Sequence, residues 1–288
     1  MRRIAFFAGS FLLLAAPSYR DSIEEWRKTR EATLKNDTGW LTVAGLYWLN
    51  EGANAAGKAD TDPVQLPDTF PYAKYGVFQR TKDKITFRPA AAGIKTTWNG
   101  TPVTGPVDMK YDGPKPDTLV TGDFTMFVIK RGDRYAIRMR DKNSKMRREF
   151  TGLHWYPVKE EYRLDAKWVP YNPVKKIPIP TVLNQPEVME SPGYAEFVWK
   201  GKKYTLEPVL EDGEYFYIFK DLTAGKETYP AGRFFYSDKP VNGKVVLDFN
   251  KAYTPPCAFT PYATCPLPPK QNRLPFRVEA GELTYGKH

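Results

Sequence analysis

The 288-residue chain is short of the residues on which metal and thiol chemistry depends, with two cysteines and two histidines. A structural zinc site takes about four Cys or His ligands, and the whole supply here is Cys257, Cys265, His154 and the terminal His288. There is no Cys-x-x-Cys-His for haem attachment and no Cys-x-x-Cys redox pair. Gly-x-Ser-x-Gly, His-Glu-x-x-His and the phosphate-loop pattern are also missing. The net charge is +10, yet no run of about five consecutive Lys or Arg occurs. These absences argue against a metal, a cofactor and a nucleic-acid partner. Low-complexity tracts and fixed-period repeats are absent too.

Long apolar runs are scarce. The clearest, Ile4–Ala16, follows Arg2 and Arg3 and precedes Pro17 and Ser18. It is too short for the ~20 residues that a membrane-spanning helix needs. Its layout is that of a secretory signal: charged start, short apolar run, small-residue exit. We therefore expect residues 1–18 to be a signal peptide, with cleavage after Ser18, and the protein to be periplasmic or secreted. Residues 1–18 hold two arginines and no acid, so the remaining 270 residues keep a net charge of +8. No membrane span is expected after signal removal.

What the chain does have is aromatics (15%) and 26 prolines, which suit many short strands joined by turns. One helix stands out in "SIEEWRKTREATLKN", where Ser22 and Glu25 have capping-box spacing. Ile23, Trp26, Arg30 and Leu34 share one face of it, expected to pack on the domain that follows, with Gly39 as its stop. Beyond it the punctuation is β: Asn99-Gly100, Asp212-Gly213, Asn242-Gly243 and the turn at Gly201 each separate strand-like runs. The expected fold is all-β, mostly antiparallel and sandwich- or barrel-like, with one amino-terminal helix. The Pro-rich passage 168–188 reads as an edge or crossing segment, since proline cannot donate in a central sheet. A soft boundary near 165 then divides 19–165, helix plus β-sandwich, from 166–288, a β-rich part, though the two could behave as one unit.

Both cysteines lie in "FNKAYTPPCAFTPYATCPLPPKQNRL", residues 249–274, and seven prolines fall between Pro255 and Pro275. In an oxidising compartment two lone cysteines eight apart usually pair. We expect a Cys257–Cys265 disulfide, worth about 2–3 kcal/mol by loop entropy; a free buried pair and a reactive thiol are the alternatives. The result would be a stiff strap, able to close the core or to wall a pocket.

Two polar strands carry the candidate chemistry. In "DRYAIRMRD" alternation puts Tyr135, Ile137 and Met139 on one face and Arg134, Arg138 and Arg140 on the other. Such a row needs neighbouring carboxylates or a bound anion between its guanidiniums. In "KVVLDFN" Asp248 and Asn250 point the same way, next to the strap. Asp221 ends a further aromatic strand and Arg233 follows within a dozen residues. These groups could fix turns, or could line a small-molecule or calcium site.

The stretches "GWLTVAGLYWLNEG" (39–52), "RGDRYAIRMRD" (131–141) and "GRFFY" (232–236), with the strap, "QNRL" and "AGE", resemble the bacterial family called domain of unknown function 1684. The resemblance runs from about 22 to 285, and its most specific part is Pro-Pro-Cys with Cys-Pro-Leu-Pro-Pro. Thr254 departs from the asparagine expected before Pro255-Pro256. No activity is implied, because none is established for the family. Residues 46–130 more weakly resemble a forkhead-associated β-sandwich, but Lys58 follows Gly57 where phosphothreonine reading would want arginine. The likeness implies a shape and not phosphopeptide binding.

The expected function is a non-catalytic module that binds a small anionic ligand or an envelope component. Arg134, Arg138 or Arg140 would hold the anion, with Asp221, Arg233, Asp248 and Asn250 orienting it. The alternatives are a hydrolase of envelope carbohydrate or ester using Asp221, Asp248 or Glu282, and a structural protein–protein partner. No catalytic residue is singled out.

Overall fold

A computed structural model describes residues 18–113 and 115–286. Nearly all of the expected signal peptide, and His288, lie outside the described residues. The first element is helix α1, Tyr19–Lys35. Its capping box is Ser18 with Asp21, not Ser22 with Glu25: Ser18 Oγ accepts from the Asp21 N–H, and Asp21 accepts from the Ser18 N–H. The earlier start brings Tyr19 into the helix, where its hydroxyl donates to Asp248 at 2.8 Å. Asn36 caps the other end. Gly39 lies under that end, where a Cβ would stand 2.2 Å from the Leu34 carbonyl oxygen.

Residues 43–141 form two facing sheets. One is centred on the hairpin Phe124–Arg131 and Arg134–Asp141, flanked by Val43–Trp48 and Leu119–Thr121. The other is centred on the hairpin Lys74–Thr81 and Lys84–Pro89, with Gly52–Gly57 beside it. Tyr75, Phe78 and Phe87 from one sheet meet Met126, Val128, Ile137 and Met139 from the other in a single core. This is a β-sandwich, and Tyr135, Ile137 and Met139 face inward as their alternation requires.

The strands of the second half pair only among themselves. A four-stranded sheet runs Lys202–Leu206, Glu187–Trp199, Arg163–Ile179, Lys244–Asp248, and a three-stranded sheet runs Val209–Glu211, Glu214–Phe219, Arg233–Ser237. Phe197, Tyr217, Phe219, Phe235, Leu247 and Phe249 fill the core beneath them. The change of sheets falls between Asp141 and Arg163, so position 165 lies inside a strand. That strand carries the first part of the Pro-rich passage. Arg163–Lys167 pairs with Lys244–Asp248, and Glu187–Trp199 takes over from Lys167, so from Trp168 onward, where the prolines begin, only Glu187–Trp199 pairs with it. The prolines thus sit where one edge is free, and the pairing shifts register between Pro170 and Lys175.

The hairpin turns fall where the dipeptides place them. Asn99-Gly100, Asp212-Gly213, Asn242-Gly243 and Lys200-Gly201 all have positive φ. Residues 142–149 contain the short helix Lys145–Arg148 capped by Ser144.

From Phe249 onward the chain is an irregular strap with three short 3-10 turns. It touches every other part. Phe259 packs with Leu34 and Leu41, and Thr260 donates to the Val43 carbonyl at 2.8 Å. Leu267 N–H bonds the Pro180 carbonyl at 2.7 Å. Helix α1 therefore docks on the carboxy-terminal half and strap rather than on the sandwich that follows it. Trp26 sets its ring edge against Trp155 at 5.6 Å, and Arg27 donates to the Tyr156 carbonyl at 2.9 Å. Among the described residues no helix is long and apolar enough to cross a membrane.

Candidate functional site

The hairpin Glu214–Phe219 and Arg233–Ser237 sets Phe216 opposite Tyr236 and Ile218 opposite Phe234. Period-two alternation sends Phe216, Phe234 and Tyr236 to one face. There Phe216 stacks on Tyr236 at 4.8 Å and meets the edge of Phe234 at 4.9 Å. Tyr253, tied to Phe234 by paired backbone hydrogen bonds, lies parallel to Tyr236 at 6.4 Å. These rings form one wall of a cleft of about 360 Å³. Arg30, Trp40, Arg131, Glu211, Asp212, Pro256, Thr264, Cys265 and Pro266 contribute the rest of its lining.

Its polar groups come from separate elements. Arg30 of α1 lies over the Tyr253 ring at 4.5 Å, donates to the Thr254 carbonyl at 2.9 Å and pairs with Glu282 at 3.4 Å. Arg131 ends its strand with Nε on the Thr264 hydroxyl at 2.9 Å. Arg138, only 5% exposed, approaches the same hydroxyl at 3.4 Å and lies over Trp40 at 5.0 Å. Its Nε has no hydrogen-bond partner among the described residues. Burial, with Arg131 and Arg140 nearby, brings the Arg138 guanidinium down to about 10. Glu211 accepts from the Tyr236 hydroxyl, and burial pushes its carboxyl up against the opposing pull of that bond and of Arg131.

The expected arginine row is split by its aromatic neighbours. Arg134 stacks on Trp48 at 3.8 Å and Arg140 lies over Phe127 at 4.7 Å, so Arg138 alone meets the strap. No acid pairs with these three among the described residues. Neighbouring carboxylates were one expected counterpart of the row; the structure places rings against it instead.

Arg233 and Asp221 form a buried pair at 3.5 Å, with Arg233 1% exposed. Arg233 also donates to the Val278 and Ala280 carbonyls, and Asp221 accepts from the Val278 N–H and the Thr223 hydroxyl. The pair ties the carboxy-terminal segment to the core and has no surface to offer a ligand. Asp248 and Asn250 do converge, and they do so on Tyr19: Asp248 accepts its hydroxyl, and the Asn250 amide donates to that oxygen at 3.0 Å. Asn250 also clamps Lys159 through both backbone groups. These two residues anchor α1. Glu282 is 0% exposed under Arg30, and burial raises its carboxyl above the ordinary range. Asp248 faces a second depression of about 290 Å³ that shares the Tyr236–Tyr253 wall. The three carboxylates of the hydrolase reading therefore do not line one cavity.

Cys257 and Cys265 are unbonded and adjacent, with the Cys257 N–H donating to Cys265 Sγ at 3.2 Å. No group of three or more His, Cys, Asp or Glu among the described residues is arranged to hold a metal. Thr254 is fully buried, its carbonyl on Arg30 and its hydroxyl on the Leu283 carbonyl. Lys58 donates to the Asp68 carbonyl of its own loop. The cleft residues Arg30, Arg131, Glu211, Tyr236 and Tyr253 were not singled out as ligand-binding by sequence. The one signal was Arg30 itself, an arginine on the inward face of a helix.

No curated protein matches the chain. It is similar to an uncharacterized protein of Haloarcula marismortui solved by NMR: 29% identity, 49% of this chain and 81% of that one covered, TM-score 0.42. A family model matches residues 148–283, which include the aromatic hairpin and the strap but not Arg30, Trp40 or Arg131. That model is described as "Protein of unknown function (DUF1684)", and its match covers just under half of the chain.

Proposed function

We propose that the protein is an exported, non-catalytic binding module whose ligand is a small carboxylate, such as a sugar acid, seated in the cleft between α1, the aromatic hairpin and the strap. The observation that carries this reading is the meeting of Arg131 and Arg138 at Thr264, with no acid in direct ion-pair contact with either among the described residues and only the longer-range pull of Glu211 on Arg131. Buried cations lose hydration and are normally compensated. The largely buried Arg27, Arg30 and Arg233 each sit against a carboxylate. A ligand carboxylate beside Arg131 supplies the compensation, and the guanidinium fork suits it. The Tyr236, Tyr253 and Phe234 rings offer a flat face to the ligand body, and Glu211 an acceptor for a hydroxyl. Export rests on the layout of residues 1–18.

A thermal-shift screen of glucuronate, citrate and neutral glucose tests the class. A ligand at a hundred times its dissociation constant adds about 2.7 kcal/mol of stability. Glucuronate or citrate should raise Tm, less so in high salt, and glucose should not. A flat response to every acid overturns the reading and favours a protein partner.

A further inference from the structure

We propose that Cys257 and Cys265 form a reversible thiol–disulfide site in the cleft wall, oxidised by small-molecule disulfides, whose state sets how firmly Thr264 holds the anion-binding arginines. The second half of the proposal rests on the binding reading above.

The geometry begins with the backbone. Pro255 and Pro256 precede Cys257 and Pro266 follows Cys265, so the chain is stiff on both sides of the pair. The Cys257 N–H already bonds Cys265 Sγ at 3.2 Å, which brings the two residues within reach of one another. They differ in access. Cys257 is half-buried, whereas Cys265 is 4% exposed and lies on the cleft side. They differ in chemistry as well. Hydrogen bonds from Cys265, and then from Tyr229, hold the Cys257 thiol down at about 7 against the cost of burial. The Cys265 thiol is pushed up by the same contact and by its burial. Cys257 is thus the attacking thiolate and Cys265 the resolving thiol.

The steps balance. Cys257 thiolate attacks one sulfur of a small disulfide such as oxidised glutathione, forming a mixed disulfide and releasing one thiolate. Cys265 then loses its proton and attacks Cys257 Sγ, closing the internal disulfide and releasing the second thiolate. The two cysteines lose two electrons and two protons, and the small disulfide becomes two thiols.

Thr264 is the residue before Cys265, and its hydroxyl is where Arg131 and Arg138 meet. Phe259 and Thr260 pin the middle of the loop to α1 and to the sandwich. The Cys265 carbonyl already accepts from the Val182 N–H at 3.1 Å, and closing the ring adds a covalent tie next to Thr264. Preorganisation of this kind should make the oxidised form bind glucuronate roughly three- to tenfold more tightly.

The test equilibrates the mature protein over a range of reduced-to-oxidised glutathione ratios and reads the disulfide as the mass loss of two hydrogens. Glucuronate affinity is then measured for each form. We expect a reversible transition within the range, and a glutathione adduct on Cys257 in Cys265→Ser, with Cys265→Ala as a second variant should the first not fold. A pair that stays oxidised or stays reduced at every ratio overturns the site. Reversible oxidation with equal glucuronate affinity in both forms overturns the coupling alone. Reversible oxidation with no glucuronate binding in either form overturns the binding reading and the coupling together, and supports the thiol site.

Discussion

Thr264 presents one hydroxyl to two guanidiniums, and nothing in the sequence around it announces that job. Replacing it with valine keeps the shape and removes the acceptor, leaving Arg131 Nε and the Arg138 terminal nitrogen without it. Thr264→Val should cost about 1–3 kcal/mol, read as a lower urea midpoint at unchanged slope. A larger cost is expected at the buried Arg233–Asp221 pair. Arg233→Ala strands a carboxylate with 5% exposure and should destabilise by about 3–5 kcal/mol in the same measurement. Alternation in "DRYAIRMRD" did reveal the arginine face. It could not reveal that Trp48, Trp40 and Phe127 would take the place of acids, because those rings come from neighbouring strands and a distant turn.

At the scale of elements, the turns were the most legible part. Asn99-Gly100, Asp212-Gly213 and Asn242-Gly243 have the positive φ that their chemistry permits cheaply, and this needs no tertiary information. The start of α1 was not legible. Ser18-x-x-Asp21 and Ser22-x-x-Glu25 are both acceptable caps locally, and Tyr19 bonds a carboxylate 229 residues away. Leu34, 1% exposed between Leu41 and Phe259, holds the end of the helix on the strap. Leu34→Ala should cost about 2–5 kcal/mol. It should also weaken glucuronate binding, because α1 carries Arg30 into the cleft. Unchanged affinity with reduced stability would separate the helix from the site. Glu227 ties Tyr156 to the carboxy-terminal segment, accepting from Tyr156 at 2.5 Å and pairing with Arg277. The hydrogen bond from Tyr156, then that from Arg277, holds its carboxyl below the ordinary 4.5. A lowered carboxyl stabilises the fold above its unfolded value and loses that contribution as pH falls through the folded one. Stability should therefore decline below about pH 4.5, and Glu227→Gln should flatten that decline in urea titrations at stepped pH.

Across the whole molecule, the strap is what makes two sets of sheets into one working object. Its proline content was readable as stiffness, but its contacts were not. They join α1, the sandwich through Val43 and Thr264, and the second half through Pro180. The cleft is assembled from five stretches between residues 30 and 266, so no local window could have displayed it. The central claim, that a carboxylate sits beside Arg131 in this cleft, is tested most directly by calorimetric titration of glucuronate into the wild type, Arg131→Gln and Arg134→Gln. Arg134 is exposed on Trp48 and takes no part in the cleft lining, so it serves as the matched control for charge. The account predicts an affinity lowered about tenfold or more by Arg131→Gln, the loss of one charged hydrogen bond, and left unchanged by Arg134→Gln. Equal effects of the two substitutions, or none from Arg131→Gln, would contradict it.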